Sequence, residues 1–260
     1  MEELTVCGIT ESDEVLATII CRLPPLKKLE IGSEDFGPLC FRHLQERLFG
    51  SLKTLDLSRC YKFTGQMALR VLSSCPQLED FGAPYISVQD LRAAPQPWVC
   101  QGLKRLSVLF FDNDEPGTVS GDDLRGSVTN RSSSLVFGYL SKLEQLDTLD
   151  ISFYNMRTPI DLRFINLNAP QFRLDTGLGQ LATLKKLKAL CLDRTKQNLR
   201  EEDVEWMLLQ WPKLKKLSGA LSWSPSEEDE GGENSIVDTQ LSKLVLEKGI
   251  SRDYYSYIWS

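Results

Sequence analysis

A leucine frame recurs along this 260-residue chain and constrains its fold more tightly than any other feature. Four copies are close: Leu52-x-x-Leu55-x-Leu57, Leu103-x-x-Leu106-x-Val108, Leu146-x-x-Leu149-x-Ile151 and Leu187-x-x-Leu190-x-Leu192. Looser copies start at Leu26, Leu78 and Leu214, and another at Leu4. Most starts lie 22 to 27 residues apart, with two longer intervals. A period of this length marks an array of stacked units, each a short strand followed by a helix. Such an array presents a surface rather than a catalytic cleft.

Within each frame the apolar side chains fall at offsets 0, +3 and +5, and the alternation from +3 to +5 is the period of two that a strand requires. Leu55 and Leu57 are expected to point inward, with Thr54, Asp56 and Ser58 outward. The return segments have helical spacing instead. Ala68, Val71, Leu72 and Cys75 fall at i, i+3, i+4 and i+7, and Val204, Met207, Leu208 and Trp211 repeat that spacing. Residues from about Ser12 to Leu23 form the first helix candidate, and Thr64 is placed to cap the one at Ala68. Pro24-Pro25, Pro76 and Pro212 each stop a helix just ahead of the next leucine. A lone unit of this size buries too little apolar surface to offset its ordering entropy, so the units must stack. The expectation is one domain over residues 1–260.

The spacing breaks twice: 43 residues separate Leu103 from Leu146, and 41 separate Leu146 from Leu187. Residues 112–134, rich in Gly and Ser, and residues 155–179, with Pro159 and Pro170, read as insertion loops that could build a binding rim. Residues 225–234 carry five acids and no apolar side chain, and read as a disordered, solvated loop. Residues 241–260 read as a C-terminal strand, Leu241-x-x-Leu244-x-Leu246, and a cap made by Tyr254-Tyr255-Ser256-Tyr257-Ile258-Trp259.

Composition excludes several classes. The net charge of −6, with no long basic run, argues against nucleic acid as the main partner. No stretch approaches the length of apolar sequence that spans a bilayer, and the acidic start Met1-Glu2-Glu3 is unlike a secretory signal. The seven cysteines are odd in number and scattered, as expected of reduced, mostly buried thiols in the cytoplasm or nucleus. The one histidine, His43, sits among Phe41, Leu44 and Leu48 and reads as a solvated or packing residue. No phosphate-binding glycine motif, zinc spacing or calcium loop occurs, so neither catalysis, a cofactor nor a metal is expected.

The segment Leu69-x-x-Leu72-Ser73-Ser74-Cys75-Pro76-x-Leu78-Glu79, with Leu55-Asp56-Leu57-Ser58-x-Cys60, resembles the leucine-rich repeat region of F-box proteins. These are the substrate receptors of cullin-based (SCF) ubiquitin ligases. The resemblance implies an α/β leucine-rich repeat solenoid of the ribonuclease-inhibitor type: a curved parallel sheet of about 7–8 repeats, helices on the convex side. It also implies substrate recognition for ubiquitin-dependent degradation. Ligase components enter as partners if an F-box lies outside this chain. The alternatives are a leucine-rich repeat adaptor with no ligase link, and a leucine-rich repeat activator of small GTPases, which would depend on a rigid arginine such as Arg59 or Arg194.

A protein partner is expected on the outward strand positions or at the strand exits. Outward positions +2 and +4 are small or charged and include Asp56 and Asp150. Offset +7 gives Arg59, Tyr85, Phe110, Phe153 and Arg194, the residue types that dominate binding hot spots. Phe111 and Tyr154, one residue later, are expected to fill the inside of the turn. The candidate contact residues are therefore Asp56, Arg59, Tyr85, Phe110, Asp150, Phe153 and Arg194.

Overall fold

The computed structural model describes residues 2–93, 97–112, 122–152, 169–222 and 236–252. The leucine frame becomes eight strands: β1 (Glu3–Ile9), β2 (Lys28–Ser33), β3 (Thr54–Asp56), β4 (Asp80–Ser87), β5 (Arg105–Phe111), β6 (Thr148–Asp150), β7 (Ala189–Cys191) and β8 (Lys216–Ser218). They form one open, all-parallel sheet in strict chain order, β1 to β8. Among the described residues seven helices alternate with them: α1 (Asp13–Cys21), α2 (Pro38–Arg47), α3 (Gly65–Leu72), α4 (Val88–Ala93), α5 (Asp122–Leu140), α6 (Glu201–Gln210) and α7 (Ile236–Glu247). Between β6 and α6 the described chain makes two 3-10 turns, Leu174–Thr176 and Leu178–Thr183.

The frame leucines from Leu26 to Leu217 end in the core, whereas Leu4 is half-buried and stands opposite Leu29, the second leucine of its frame. Leu52, Leu55, Leu57, Leu146, Leu149, Leu187, Leu190 and Leu192 are all 0% exposed, whereas Thr54, Asp56, Thr148 and Asp150 on alternate positions stay half-exposed. The helices supply the other wall: Ala68, Val71 and Leu72 of α3, and Val204 and Met207 of α6, are 0% exposed and join the same apolar cluster. Thr64 caps α3, accepting a hydrogen bond from the Met67 N–H. The register Leu29–Leu55–Phe81–Leu106–Leu149–Leu190–Leu217 runs unbroken through both long sequence intervals.

Two kinds of tie hold neighbouring units together. At every strand entry one carbonyl accepts two N–H groups from the next unit: Lys27 O from Lys53 and Thr54, Lys53 O from Glu79 and Asp80, Lys188 O from Lys215 and Lys216, all at 2.8–3.0 Å. On the helix side, carboxylates reach across units. Asp13, the first residue of α1, accepts N–H groups of Gly37, Leu39 and Cys40 at 2.9–3.0 Å and so caps the neighbouring α2. Asp203 accepts from Leu174 and Arg200, and Asp238 from Leu221 and Ser222. Gly219 has φ +95° and no room for a side chain, since a Cβ there would lie 2.5 Å from the Leu192 carbonyl carbon.

Two expectations change. The stretch 112–134 is not all loop: α5 begins at Asp122, and the Ser-rich end of the expected insertion loop uses its hydroxyls as ties. Ser132 donates to Asp112, Ser133 accepts from the Gln171 N–H at 3.1 Å, and Ser134 accepts from Gln180 at 2.7 Å. Residues 241–246 are helical, because α7 buries Asp238, Leu241 and Val245 at i, i+3 and i+7 while Leu246 is 55% exposed. The sheet instead gains a ninth rung from Ser251, which donates to Lys215 O at 2.8 Å and accepts from Leu217 N at 3.1 Å. Residues 113–121, most of the second insertion (residues 153–168), the acidic 225–234 segment and the aromatic 254–259 segment lie outside the described residues.

Leu55→Ala removes a fully buried side chain and is expected to cost about 2–5 kcal/mol of unfolding free energy. Leu209→Ala, at a position 75% exposed, should change it by less than about 0.5 kcal/mol. Urea midpoints of the two variants against the parent check this; equal midpoints would contradict the assignment of the frame to the core.

Candidate functional site

The outward strand residues build one face of the sheet. On β3 and β6 the same local sequence, Thr-Leu-Asp, does the same work. Asp56 Oδ1 accepts the Ser58 N–H at 2.9 Å, and Asp150 Oδ1 accepts the Ser152 N–H at 2.8 Å, turning the chain out of each strand. Asp150 Oδ2 also accepts from the Ser107 hydroxyl at 3.4 Å. Both aspartates are half-exposed, so a carboxylate edge remains turned to solvent. Gly82 is the neighbour that makes room: a Cβ on it would lie 2.5 Å from Asp56 Oδ1. Beyond these turns Ser58, Ala83, Pro84, Ser107, Val108, Leu109 and Ser152 line a niche of about 20 Å³, sized for little more than one water.

Charges on this face alternate in sign. Lys28 pairs with Glu30 at 3.0 Å, and Glu30 also accepts from Thr5 at 3.1 Å; the Lys28 hydrogen bond holds the Glu30 carboxyl below its ordinary range. Arg105 pairs with Asp80 at 3.2 Å. Burial still pushes the Asp80 carboxyl up; Arg105 opposes the rise, and Asp56 and Glu30 add to it. Toward the last strands the face closes: Cys191 is 7% exposed, and Ser218 is fully buried and donates to the buried Asp193 at 2.5 Å.

The strand-exit residues divide. Arg59 is exposed and stands against Gly32, and Arg194 is exposed in a left-handed conformation with φ 62°. Tyr85 is half-buried and packs edge-on against Phe111 at 5.5 Å, with burial, then Asp90, raising its phenol. Phe110 is a correction: it is 0% exposed and belongs to the core. β5 runs on for seven residues where β3 stops after three, so the period of two continues and sends offset +7 inward behind Leu106 and Val108. Phe111 is buried, but against Tyr85 and outside the core cluster rather than inside the turn, while Phe153 and Tyr154 lie outside the described residues. The pairing of β4 with β5 shifts between Gly82 and Tyr85, where Pro84 has no N–H to give the ladder.

Sequence reasoning missed the opposite edge, where the chain enters each strand. One residue before the paired strand position, every unit carries a charge: Glu2, Lys27, Lys53, Glu79, Lys104, Asp147, Lys188 and Lys215. Lys27 pairs with Glu2 at 2.8 Å, Lys53 with Glu79 at 2.9 Å, and Lys188 with Asp147 at 3.1 Å; Lys104 shares Glu79 from the other side. Held between Lys104 and Lys53, the Glu79 carboxyl falls from 4.5 to about 2. Its recurring offset was visible in the sequence, but which charges become neighbours needs the register to be seen.

Among the described residues no group of three His, Cys, Asp or Glu side chains is placed to hold a metal ion, and no helix is long and apolar enough to cross a membrane. His43 is half-exposed on α2, 3.5 Å from Glu46. Cys40, Cys60, Cys75, Cys100 and Cys191 are buried and unpaired, and burial pushes the Cys60, Cys75 and Cys100 thiols up to about 12. Cys7 is exposed.

No family model matches the chain, and no curated protein matches it. Among solved structures, a Bacteroides fragilis protein is similar at 12% identity with a TM-score of 0.40, over 96% of this chain and 74% of that one.

Two measurements check the geometry. Gly82→Ala should force Asp56 away from the Ser58 N–H and cost about 1–3 kcal/mol, and the double variant with Asp56→Ala should cost clearly less than the sum of the two single changes. Additive losses would show that the Cβ clash is not with this carboxylate. For Glu79 the folded pKa is depressed, so its contribution to stability is present above pH 4.5 and is lost as pH falls toward about 2. Glu79→Gln should flatten the acid limb of the stability curve in that window, and added salt should shrink the difference because Glu79 is about a third exposed.

Proposed function

We propose that the chain is a leucine-rich repeat solenoid, curved with its helices on the convex side, that acts as a non-catalytic protein-binding module. The observation that carries this reading is an eight-stranded parallel sheet whose alternate positions from β2 to β6 hold exposed or half-exposed residues of both charges. Eight strands at about 4.8 Å give a face on the order of 35 Å wide, enough for a standard protein interface. Small side chains at Thr54, Ser107 and Thr148 leave its middle open, while Lys28, Glu30, Asp80 and Arg105 supply charges that fix a partner's orientation. Arg59, Arg194 and Tyr85 extend the contact to the strand exits. The resemblance to F-box receptors makes the partner a substrate for ubiquitination, with the rest of the ligase supplied from outside these residues.

Thr54→Arg, Arg105→Glu and Thr148→Arg alter this face without touching the core or the Asp56 and Asp150 turns. Against a partner captured from the native cell, the triple variant is expected to lose at least about tenfold in affinity with an unchanged melting temperature. Glu205→Arg on the exposed side of α6 should leave binding intact. Retained binding by the face variant, or loss confined to the helix variant, would place the interface elsewhere. A captured partner whose lifetime is unchanged when this protein is deleted would separate a plain adaptor from a ligase receptor.

A further inference from the structure

The charge ladder along the strand entries is compensated in its first seven units and fails in its last. From Glu2 to Lys188 each cation on that row has an acid on a neighbouring rung. Lys215 does not. Its own N–H donates to Lys188 O at 2.8 Å, which sets two lysines side by side, and the rung beyond it is Ser251. The turns just before these strands repeat the arrangement, with Lys185 and Lys186 in one and Lys213 in the other. Lys186 reaches the amide oxygen of Gln145, and Lys185 the carbonyl and amide oxygens of Gln210 at 3.1 and 2.8 Å, neutral acceptors that leave the charge uncompensated. Lys213 and Lys215 have no ion-pair partner among the described residues.

All five lysines are exposed, and among the described residues Asp147 is the one acid within ion-pair distance of any of them. In a chain of net charge −6 this runs against the overall balance. Like charges on facing rungs oppose strand pairing, so the fold gains nothing from them. Among the described residues the rim holds only lysine heads, with no exposed aromatic ring on which a base would stack and no guanidinium fork shaped to a phosphate. Lysine rows of this kind suit carboxylates distributed along an extended chain. We propose that Lys185, Lys186, Lys188, Lys213 and Lys215 form a docking rim for an acidic, extended segment of a partner protein. This rim lies along the edge opposite the strand exits and is a second surface, whose test can fail independently of the outer face.

The test uses the full chain and a fluorescent octaglutamate peptide, with an octaglutamine peptide and a single-stranded oligonucleotide of equal length as comparisons. Octaglutamate should bind at low salt, weaken steeply by about 0.5 M salt, and lose about tenfold or more in Lys186→Gln/Lys213→Gln/Lys215→Gln. Arg22→Gln/Arg42→Gln/Arg70→Gln, with the same charge change on exposed helix sites, should bind within about twofold of the parent, as should the outer-face triple variant. Absence of binding by the parent, equal loss in the control variant, or tighter binding of the oligonucleotide than of octaglutamate would each overturn the proposal.

Discussion

One peptide carbonyl per unit sets the register on which everything else depends. At each strand entry a carbonyl receives two N–H groups from the following unit, and the same geometry recurs from Glu2 through Lys215. Because a strand's side chains alternate, a slip of one residue at any of these points would carry a leucine to solvent and an aspartate into the core. The backbone motif and the buried leucines therefore enforce each other. This is why the sheet keeps Leu106 opposite Leu149, and Leu149 opposite Leu190, across two sequence intervals much longer than the rest.

That register also distributes charge. Residues sharing an offset become neighbours about 4.8 Å apart, so a row of side chains is read across the sheet rather than along the chain. On the outer face and along most of the entry edge this produces alternating, mutually satisfied pairs. Where satisfaction stops, at Lys215, the surface is left with a local charge that packing does not explain. Carboxylates on the helix side serve differently: Asp13, Asp203 and Asp238 are consumed by backbone N–H groups of neighbouring segments and have a structural task.

The places where pattern reading went astray share one cause. Phe110 was assigned to an exposed edge on the assumption that each strand ends after offset +5, but β5 continues and alternation takes the ring inside. Leu241, Leu244 and Leu246 match the strand frame and also lie on a plausible helix, and short apolar patterns do not separate the two periods. The Ser-rich stretch before Leu135 has loop composition, yet its hydroxyls hold α5 to Asp112, Gln171 and Gln180. In each case the deciding contact comes from residues distant in the chain.

From the amino-acid order alone one could read the strand positions, the inward leucines, the capping Thr64, the helices at Ala68 and Val204, and the outward Asp56 and Asp150. All of these rest on periodicity within about ten residues, which local stereochemistry enforces. Only the folded molecule decided that Asp56 and Asp150 close turns over their own strands, that Phe110 is core, that Ser251 adds the last rung, and that lysines meet lysines at the end of the entry edge. Those outcomes depend on which residues stand beside one another on adjacent strands, and that adjacency exists only once the units have stacked.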